Sequence, residues 1–151
     1  MKTLGRDCDK VEILQRLKSV RPDHVGRWGR MSAHGMVCHL SDSLLMAAGQ
    51  KPVSLATGPL HRTILKWVVL YVPLRWPAGV PTRPEIDQEL GGTKPMDFME
   101  DMARLETLLE RITRSETPAR PAHPIFGSMS EAAWLRWTYL HIDHHLRQFG
   151  A

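Results

Sequence analysis

Residues 128–150 read SMSEAAWLRWTYLHIDHHLRQFG, and this stretch carries the clearest signals of both fold and function. Its apolar residues recur at helical spacing, which predicts one long helix ending near Phe149. Gly150 is suited to terminate that helix. Two starts are compatible with the pattern: Ser128 forms a capping box with Glu131, and Ser130 is the alternative N-cap residue.

The histidines of this helix have the spacing of metal ligands. His141 and His145 lie about 40° apart around the helix, with Cβ atoms about 5–6 Å apart, so both imidazoles can bind one ion. His144 lies about 60° to the other side of His141. A pair of histidines one turn apart is a weak motif, and hydrogen-bonded core histidines remain the alternative.

The surroundings of this pair predict that its face of the helix points inward. The residues within about 80° of His141 are mainly apolar or aromatic, and they are Trp134, Trp137, Thr138, Gln148 and Phe149. Buried imidazoles need polar partners, and a shared ion would satisfy two of them at once. Arg136, Asp143 and Arg147 fall on the opposite side, which is predicted to face solvent.

His39 is the best candidate for a third ligand. It lies on a predicted helix over residues 32–48, on the same side as small and apolar residues, and Asp42 follows one turn later as a possible acceptor for its ring. His34 is about 140° away around that helix and is a poorer partner. Cys38 is interpreted as a packed thiol. His24, His61 and His123 are expected to have surface or capping roles.

The rest of the chain predicts an all-α bundle in a single domain covering residues 1–151. Further helices are expected over residues 9–20, 61–72 and 96–114, and no strand pattern competes with them. The first should bury Val11, Ile13, Leu14 and Leu17 on one side, and the fourth should bury Phe98, Met102, Leu105, Leu108, Leu109 and Ile112. Proline-bearing loops occupy residues 50–59, 73–95 and 118–127, and the long middle loop is expected to lie over the site.

Composition excludes several classes of protein. The net charge of +4 is spread along the chain, without the clustering typical of nucleic-acid binding. The most apolar stretch, residues 64–76, is too short and too interrupted to span a membrane. Cys8 and Cys38 are expected to be reduced thiols, and the charged N-terminus lacks a signal peptide, so we expect a cytoplasmic protein.

Several segments together resemble the DinB-like (YfiT-like) superfamily, and in particular one uncharacterised branch of it. They are His39-Leu40, residues 27–31 (RWGRM), 92–95 (GTKP), 123–127 (HPIFG) and 141–150 (HIDHHLRQFG). The resemblance implies a four-helix bundle of up-down-down-up topology, here with an additional short helix and long proline-rich loops. It also implies a divalent metal bound by His39, His141 and His145, with zinc or nickel favoured.

The resemblance implies two kinds of activity. Relatives include metal-dependent thiol transferases and proteins described as metal-dependent hydrolases, so we expect a small-molecule substrate, and for the transferases a low-molecular-weight thiol as cofactor. Asp42, His144, Gln148 and Trp137 are then candidates for residues that support the ligands or line the pocket. A non-catalytic metal-binding or sensing module is the alternative, and a helical interaction domain without metal is a third. A homodimer through residues 64–71 is compatible with the apolar pattern there.

Overall fold

A computed structural model describes residues 1–56, 61–114 and 120–151, and these form an all-helical structure. It contains five α-helices: α1 (Asp7–Lys18), α2 (Ala33–Ala47), α3 (Lys66–Tyr71), α4 (Phe98–Thr113) and α5 (Glu131–Gln148). A π-helical turn precedes α3, and a 3₁₀ turn covers Pro84–Ile86. No strand occurs in the described ranges, which confirms the all-α prediction. Residues 57–59 and 118–119 of two predicted loops lie outside these ranges.

The helix ends follow the capping residues of the sequence. The Ser32 side chain accepts a hydrogen bond from the Gly35 amide at the start of α2. Ser130 accepts from the amide of Ala133, so Ser130 rather than Ser128 begins α5. Gly49 and Gly150 follow α2 and α5 with positive φ angles of 72° and 77°, the left-handed conformation that glycine adopts without steric cost.

The first helix starts and ends two residues earlier than predicted. Its side chains Ile13 and Leu17 are buried, but Val11 is about half exposed, so the expected burial of Val11 is wrong. Asp9 is buried in its place, and its carboxylate accepts from the Thr3 amide at 3.0 Å. The N-terminal segment therefore packs over this end of α1.

The second helix is the most buried element of the chain. Almost all of its residues are buried, and it packs against both α4 and α5. The predicted stripe of α4 is buried from Met102 to Ile112, but Phe98 at the start of the helix is only partly buried. α5 also contacts α1 and α3, so it borders three other helices. This arrangement puts the inward faces of α2 and α5 next to each other, where their histidines lie.

The side of α5 that was predicted to face solvent is covered by the rest of the protein. Arg136 is only 9% exposed, and its guanidinium donates hydrogen bonds to the carbonyl oxygens of Leu70 and Lys2. Asp143 pairs with Arg16 of α1 at 2.7 Å. The prediction for Arg136 is therefore wrong, because charged residues on this side make interhelical contacts rather than a solvated surface.

The apolar residues around α3 divide between the interior and the surface. Leu70 is buried, whereas Ile64, Trp67 and Tyr71 are all more than two-fifths exposed. Burial inside the protein therefore accounts for only part of this apolar segment. Among the described residues, no helix combines the length and apolar character needed to cross a membrane.

Truncation of Leu105 tests the packing of α4. This side chain is fully buried, so Leu105→Ala should lower the free energy of unfolding by about 2–5 kcal/mol through lost burial and a residual cavity. Met99 lies on the same helix with 74% of its side chain surface exposed, and Met99→Ala should change stability by less than about 0.5 kcal/mol. Urea denaturation measures both, and equal effects would contradict this packing.

Candidate metal centre and cavity

The structure brings together the three histidines singled out in the sequence. His39 projects from α2, and His141 and His145 project from α5, with one ring nitrogen of each within 4.8 Å of the others. The Nε2 atoms of His39 and His141 are 3.1 Å apart. The His39 ring lies against both partners, at centroid distances of 5.0 and 4.8 Å. Three imidazoles from two helices thus face one point.

Hydrogen bonds orient two of these rings. The Nδ1 atom of His39 lies 2.8 Å from the carbonyl oxygen of Ile86, which can only accept, so Nδ1 carries the proton. The Nδ1 atom of His145 donates to Oε1 of Gln148 at 2.9 Å. The amide nitrogen of Gln148 donates in turn to the Trp28 carbonyl oxygen at 2.8 Å, which sets the orientation of the amide. Both rings therefore keep an unprotonated Nε2, and that of His39 lies next to His141.

Asp42 does not have the expected role. It is fully buried on α2, and its carboxylate accepts from the amide and hydroxyl of Thr93 and pairs with Lys51 at 2.8 Å. The acceptor for the His39 ring is the Ile86 carbonyl oxygen from the 73–95 loop. The expectation that Asp42 orients His39 is wrong, because Asp42 instead anchors the end of that loop.

The three histidines are held in their neutral form. Burial, which disfavours the imidazolium ion, is the largest cause of a lowered pKa at His39, His141 and His145. The neighbouring imidazoles lower the pKa of His141 and His145 further. Neutral imidazole is the form that binds metal ions.

This arrangement fits a single divalent ion. Two imidazole nitrogens at metal distances of about 2.0–2.1 Å can be separated by at most about 4.2 Å. The separation of 3.1 Å between His39 and His141 lies well inside that limit. The ligand atoms of all three residues lie within 4.8 Å of one another, so this group could hold a metal ion.

A cavity of about 290 Å³ opens beside the three histidines. The 73–95 loop forms one wall of it, as expected, and supplies Trp76, Val80 and Arg83. Trp137 of α5 forms another wall and stacks on the His141 ring at a centroid distance of 4.8 Å. Most of the remaining lining residues are apolar. Apart from Thr82, they are Met46, Leu65, Val69, Pro77, Pro81, Ile86, Pro124, Ile125 and Phe126.

His144 also lines this cavity. Its ring lies 5.2 Å from that of His145, and its Nδ1 atom is buried without a hydrogen-bond partner in the described structure. Burial lowers the pKa of His144, so the ring is neutral near pH 7. His144 is thus a polar wall of the cavity rather than a member of the group of three.

His123, which was expected to have a surface or capping role, lines the cavity. It is only 3% exposed, and its ring packs between Phe126 and the rings of Trp134 and Trp137. Its Nδ1 atom accepts the amides of Ile125 and Phe126, which is a turn-capping role, but its Nε2 faces no partner among the described residues. The signal that could have identified it is the segment HPIFG, because a histidine before a proline turn can cap that turn from inside.

A second group of possible ligands, His34, Cys38 and Asp101, connects α2 and α4. The Asp101 carboxylate lies 2.8 Å from His34 Nε2 and accepts from the Cys38 thiol and the Met96 amide. Burial, followed by the charge of Asp101, raises the pKa of the Cys38 thiol to about 12, so this thiol keeps its proton. These three residues satisfy one another through hydrogen bonds, in line with the prediction of a packed thiol.

The buried His123 should make stability depend on pH. Its pKa is lowered by burial to about 3, against about 6.5 in the unfolded chain, so the unfolded state binds the proton first as the pH falls. The contribution to stability is complete above about pH 6.5 and is lost toward about pH 3. Urea denaturation should show a loss of about 2 kcal/mol from this residue between about pH 7.5 and about pH 5.

The matched variant for this measurement is His123→Asn. The asparagine oxygen can still accept the turn amides, but the residue does not titrate. Its pH dependence should therefore be shallower than that of the natural protein by about 2 kcal/mol over the same range. Parallel pH profiles for the two proteins would contradict a neutral, buried His123.

Comparison with known proteins identifies the family of this chain. The model of one protein family, described as protein of unknown function (DUF1569), matches residues 3–151. No curated protein and no solved structure shows a significant match. The match covers both helices that carry the three histidines, the loop that supports His39, and the turn that holds His123. The chain therefore belongs to the DUF1569 family.

Proposed function

We propose that this protein is a metal-dependent enzyme that acts on a small molecule with an apolar group. His39, His141 and His145 are its metal ligands, and the adjoining cavity is its substrate site. One observation carries the proposal: three neutral imidazoles converge at the wall of an apolar cavity. In two of the rings Nδ1 is hydrogen-bonded to a protein oxygen, which leaves Nε2 unprotonated, as metal-binding histidines usually have it.

The ligand set favours catalysis over a purely structural metal. Within the described ranges, the group contains three residues, whereas structural zinc sites normally use four protein ligands. A three-histidine set suits zinc or nickel and leaves a position for water or a thiol. When bound, such an ion supplies a Lewis acid that lowers the pKa of a water or thiol ligand. Hydrolysis and thiol transfer are the two reactions that this chemistry supports.

The side chains of the cavity define the remaining roles. Its apolar walls exclude water and hold the non-reacting part of the substrate. No carboxylate is found among the described lining residues, and the side chains of Asp42 and His34 are engaged in other hydrogen bonds. His144, neutral and with an unpartnered Nδ1, is therefore the proposed proton acceptor near the ligands.

We further propose that α1, α2, α4 and α5 form a DinB-like four-helix bundle in one domain. The pairing of α2 with both α4 and α5, and of α1 with α5, supports this arrangement. The position of the histidines on α2 and the last helix supports it as well. The exposed apolar residues around α3 support a contact between two copies of the chain.

Elemental analysis tests the metal site. Protein purified without a histidine tag should contain about one equivalent of zinc or nickel, and His39→Ala, His141→Ala or His145→Ala should each remove most of it. His34→Ala is the matched control, because His34 lies on the same helix as His39 but in the second group. Loss of metal from the His34 variant, with retention in the His39 variant, would reject the proposed ligands.

Replacement of Gln148 tests how the ligands are supported. Gln148→Leu removes the acceptor of the His145 Nδ1 proton, so the affinity for zinc should fall about 10–100-fold. Thr138→Val, a buried substitution on the same helix, should leave the affinity within about two-fold because Thr138 bonds only its own helix backbone. Competition with a chromophoric chelator measures both, and equal affinities in the two variants would contradict the role of Gln148.

Turnover tests the proposed enzyme directly. Two assays cover the two reactions: hydrolysis of a naphthyl ester, and transfer of a small thiol to a chlorodinitrobenzene. Activity in at least one assay should disappear on chelation, return with added metal, and be lost in His39→Ala while persisting in His34→Ala. An activity that is insensitive to chelator and to His39→Ala would contradict the proposal.

A further inference from the structure

We propose that His123 binds the substrate, with its Nε2–H donating a hydrogen bond to a carbonyl oxygen of an apolar molecule in the cavity. This inference deepens the proposed function, since it places a substrate in the same cavity. It concerns a residue outside the group of three ligands, and its test does not require a metal.

The hydrogen bonds of His123 determine which nitrogen carries the proton. Backbone amides can only donate, and the amides of Ile125 and Phe126 both point at Nδ1, at 3.1 and 3.2 Å. Nδ1 is therefore the unprotonated nitrogen of a neutral ring. The proton of this neutral imidazole must then lie on Nε2. His123 is thus a donor at one defined atom.

This donor is buried without a partner. The residue is 3% exposed, and Nε2 has no hydrogen-bond partner in the described part of the chain. A buried N–H that lacks an acceptor lowers the stability of the folded protein by about 1–3 kcal/mol, and a bound acceptor would remove this cost. Contact with the faces of Trp134 and Trp137 offers only a weak substitute. A ligand oxygen would satisfy the group fully.

The surroundings of His123 define the ligand. His123 lines the same cavity as the three proposed ligands, and the Trp137 ring contacts both His123 and His141, at 4.7 and 4.8 Å. One molecule can therefore place an oxygen at His123 while its reacting end lies near His141. The walls are apolar and aromatic, and a cavity of about 290 Å³ accommodates a two-ring group. The ligand class is an aryl or alkyl carbonyl compound.

A matched pair of probes tests the hydrogen bond. The probes are 2-acetylnaphthalene, which has a carbonyl acceptor, and 2-isopropenylnaphthalene, which has nearly the same shape with a methylene group in place of the oxygen. After correction for octanol–water partition, the natural protein should prefer the ketone by about ten-fold, with or without zinc. Fluorescence titration measures both dissociation constants. Failure of the natural protein to bind the ketone, or equal corrected affinities for the two probes, would overturn the inference.

Two variants locate the donor. His123→Asn retains the turn acceptor and removes Nε2–H, so it should abolish the preference for the ketone while the hydrocarbon binds within about two-fold of the natural protein. His144→Asn replaces the other unpartnered histidine of the cavity and should retain the preference. Loss of the preference in the His144 variant, with retention in the His123 variant, would overturn the assignment.

A spectroscopic measurement covers the case in which His123→Asn does not fold. The carbonyl stretching band of 2-acetylnaphthalene bound to the natural protein should lie at lower wavenumber than in hexane, because the oxygen accepts a hydrogen bond. A band at the hexane position would overturn the inference. Zinc content, measured on the same samples, separates the two proposals: a ketone preference in protein that never loads metal supports His123 alone, and metal loading without the preference supports the metal centre alone.

Discussion

The packing of α2 against α5 is the constraint on which the rest of the structure depends, because it buries three imidazoles against one another. Each imidazole has two polar nitrogens, and none of them can remain without a partner at low cost in an apolar interior. The neighbouring segments meet much of this demand. The Ile86 carbonyl oxygen takes the His39 proton, and Gln148 takes that of His145. The ring nitrogens without a partner from these segments are those through which the three histidines contact one another.

This demand explains why irregular segments are packed so closely around the helices. The 73–95 loop supplies the acceptor for His39, and Thr93 near its end is held by the buried carboxylate of Asp42. Trp28, in the connection before α2, supplies the acceptor for the Gln148 amide. Segments without regular structure therefore position the site, and the same 73–95 loop forms one wall of the cavity.

The contrast between the two histidine-containing groups follows from their partners. In the group of His34, Cys38 and Asp101, the carboxylate accepts hydrogen bonds from the other two side chains. These polar groups therefore need no further partner. His39, His141 and His145 have no carboxylate in contact with their inner nitrogens in the described structure. Their inner nitrogens instead contact one another, with 3.1 Å between the Nε2 atoms of His39 and His141, and a shared cation would satisfy all three rings, which supports our proposal of a metal at this group rather than at the other.

The sequence by itself determined the all-α class, the start of α2 at Ser32, and the common face of His141 and His145, because these depend on contacts within one helix, whereas the structure decided between Ser128 and Ser130 as the N-cap of α5. It also indicated that His39 faces inward. Only the tertiary structure decided that His39 meets a helix 102 residues away, and that Ile86 rather than Asp42 supports it. The error at Arg136 and the burial of His123, which caps a turn from inside rather than at the surface, have the same origin. Periodicity shows which residues share a face of a helix, but it does not show what covers that face. A charged or imidazole side chain can be buried where another segment supplies its hydrogen-bond partners.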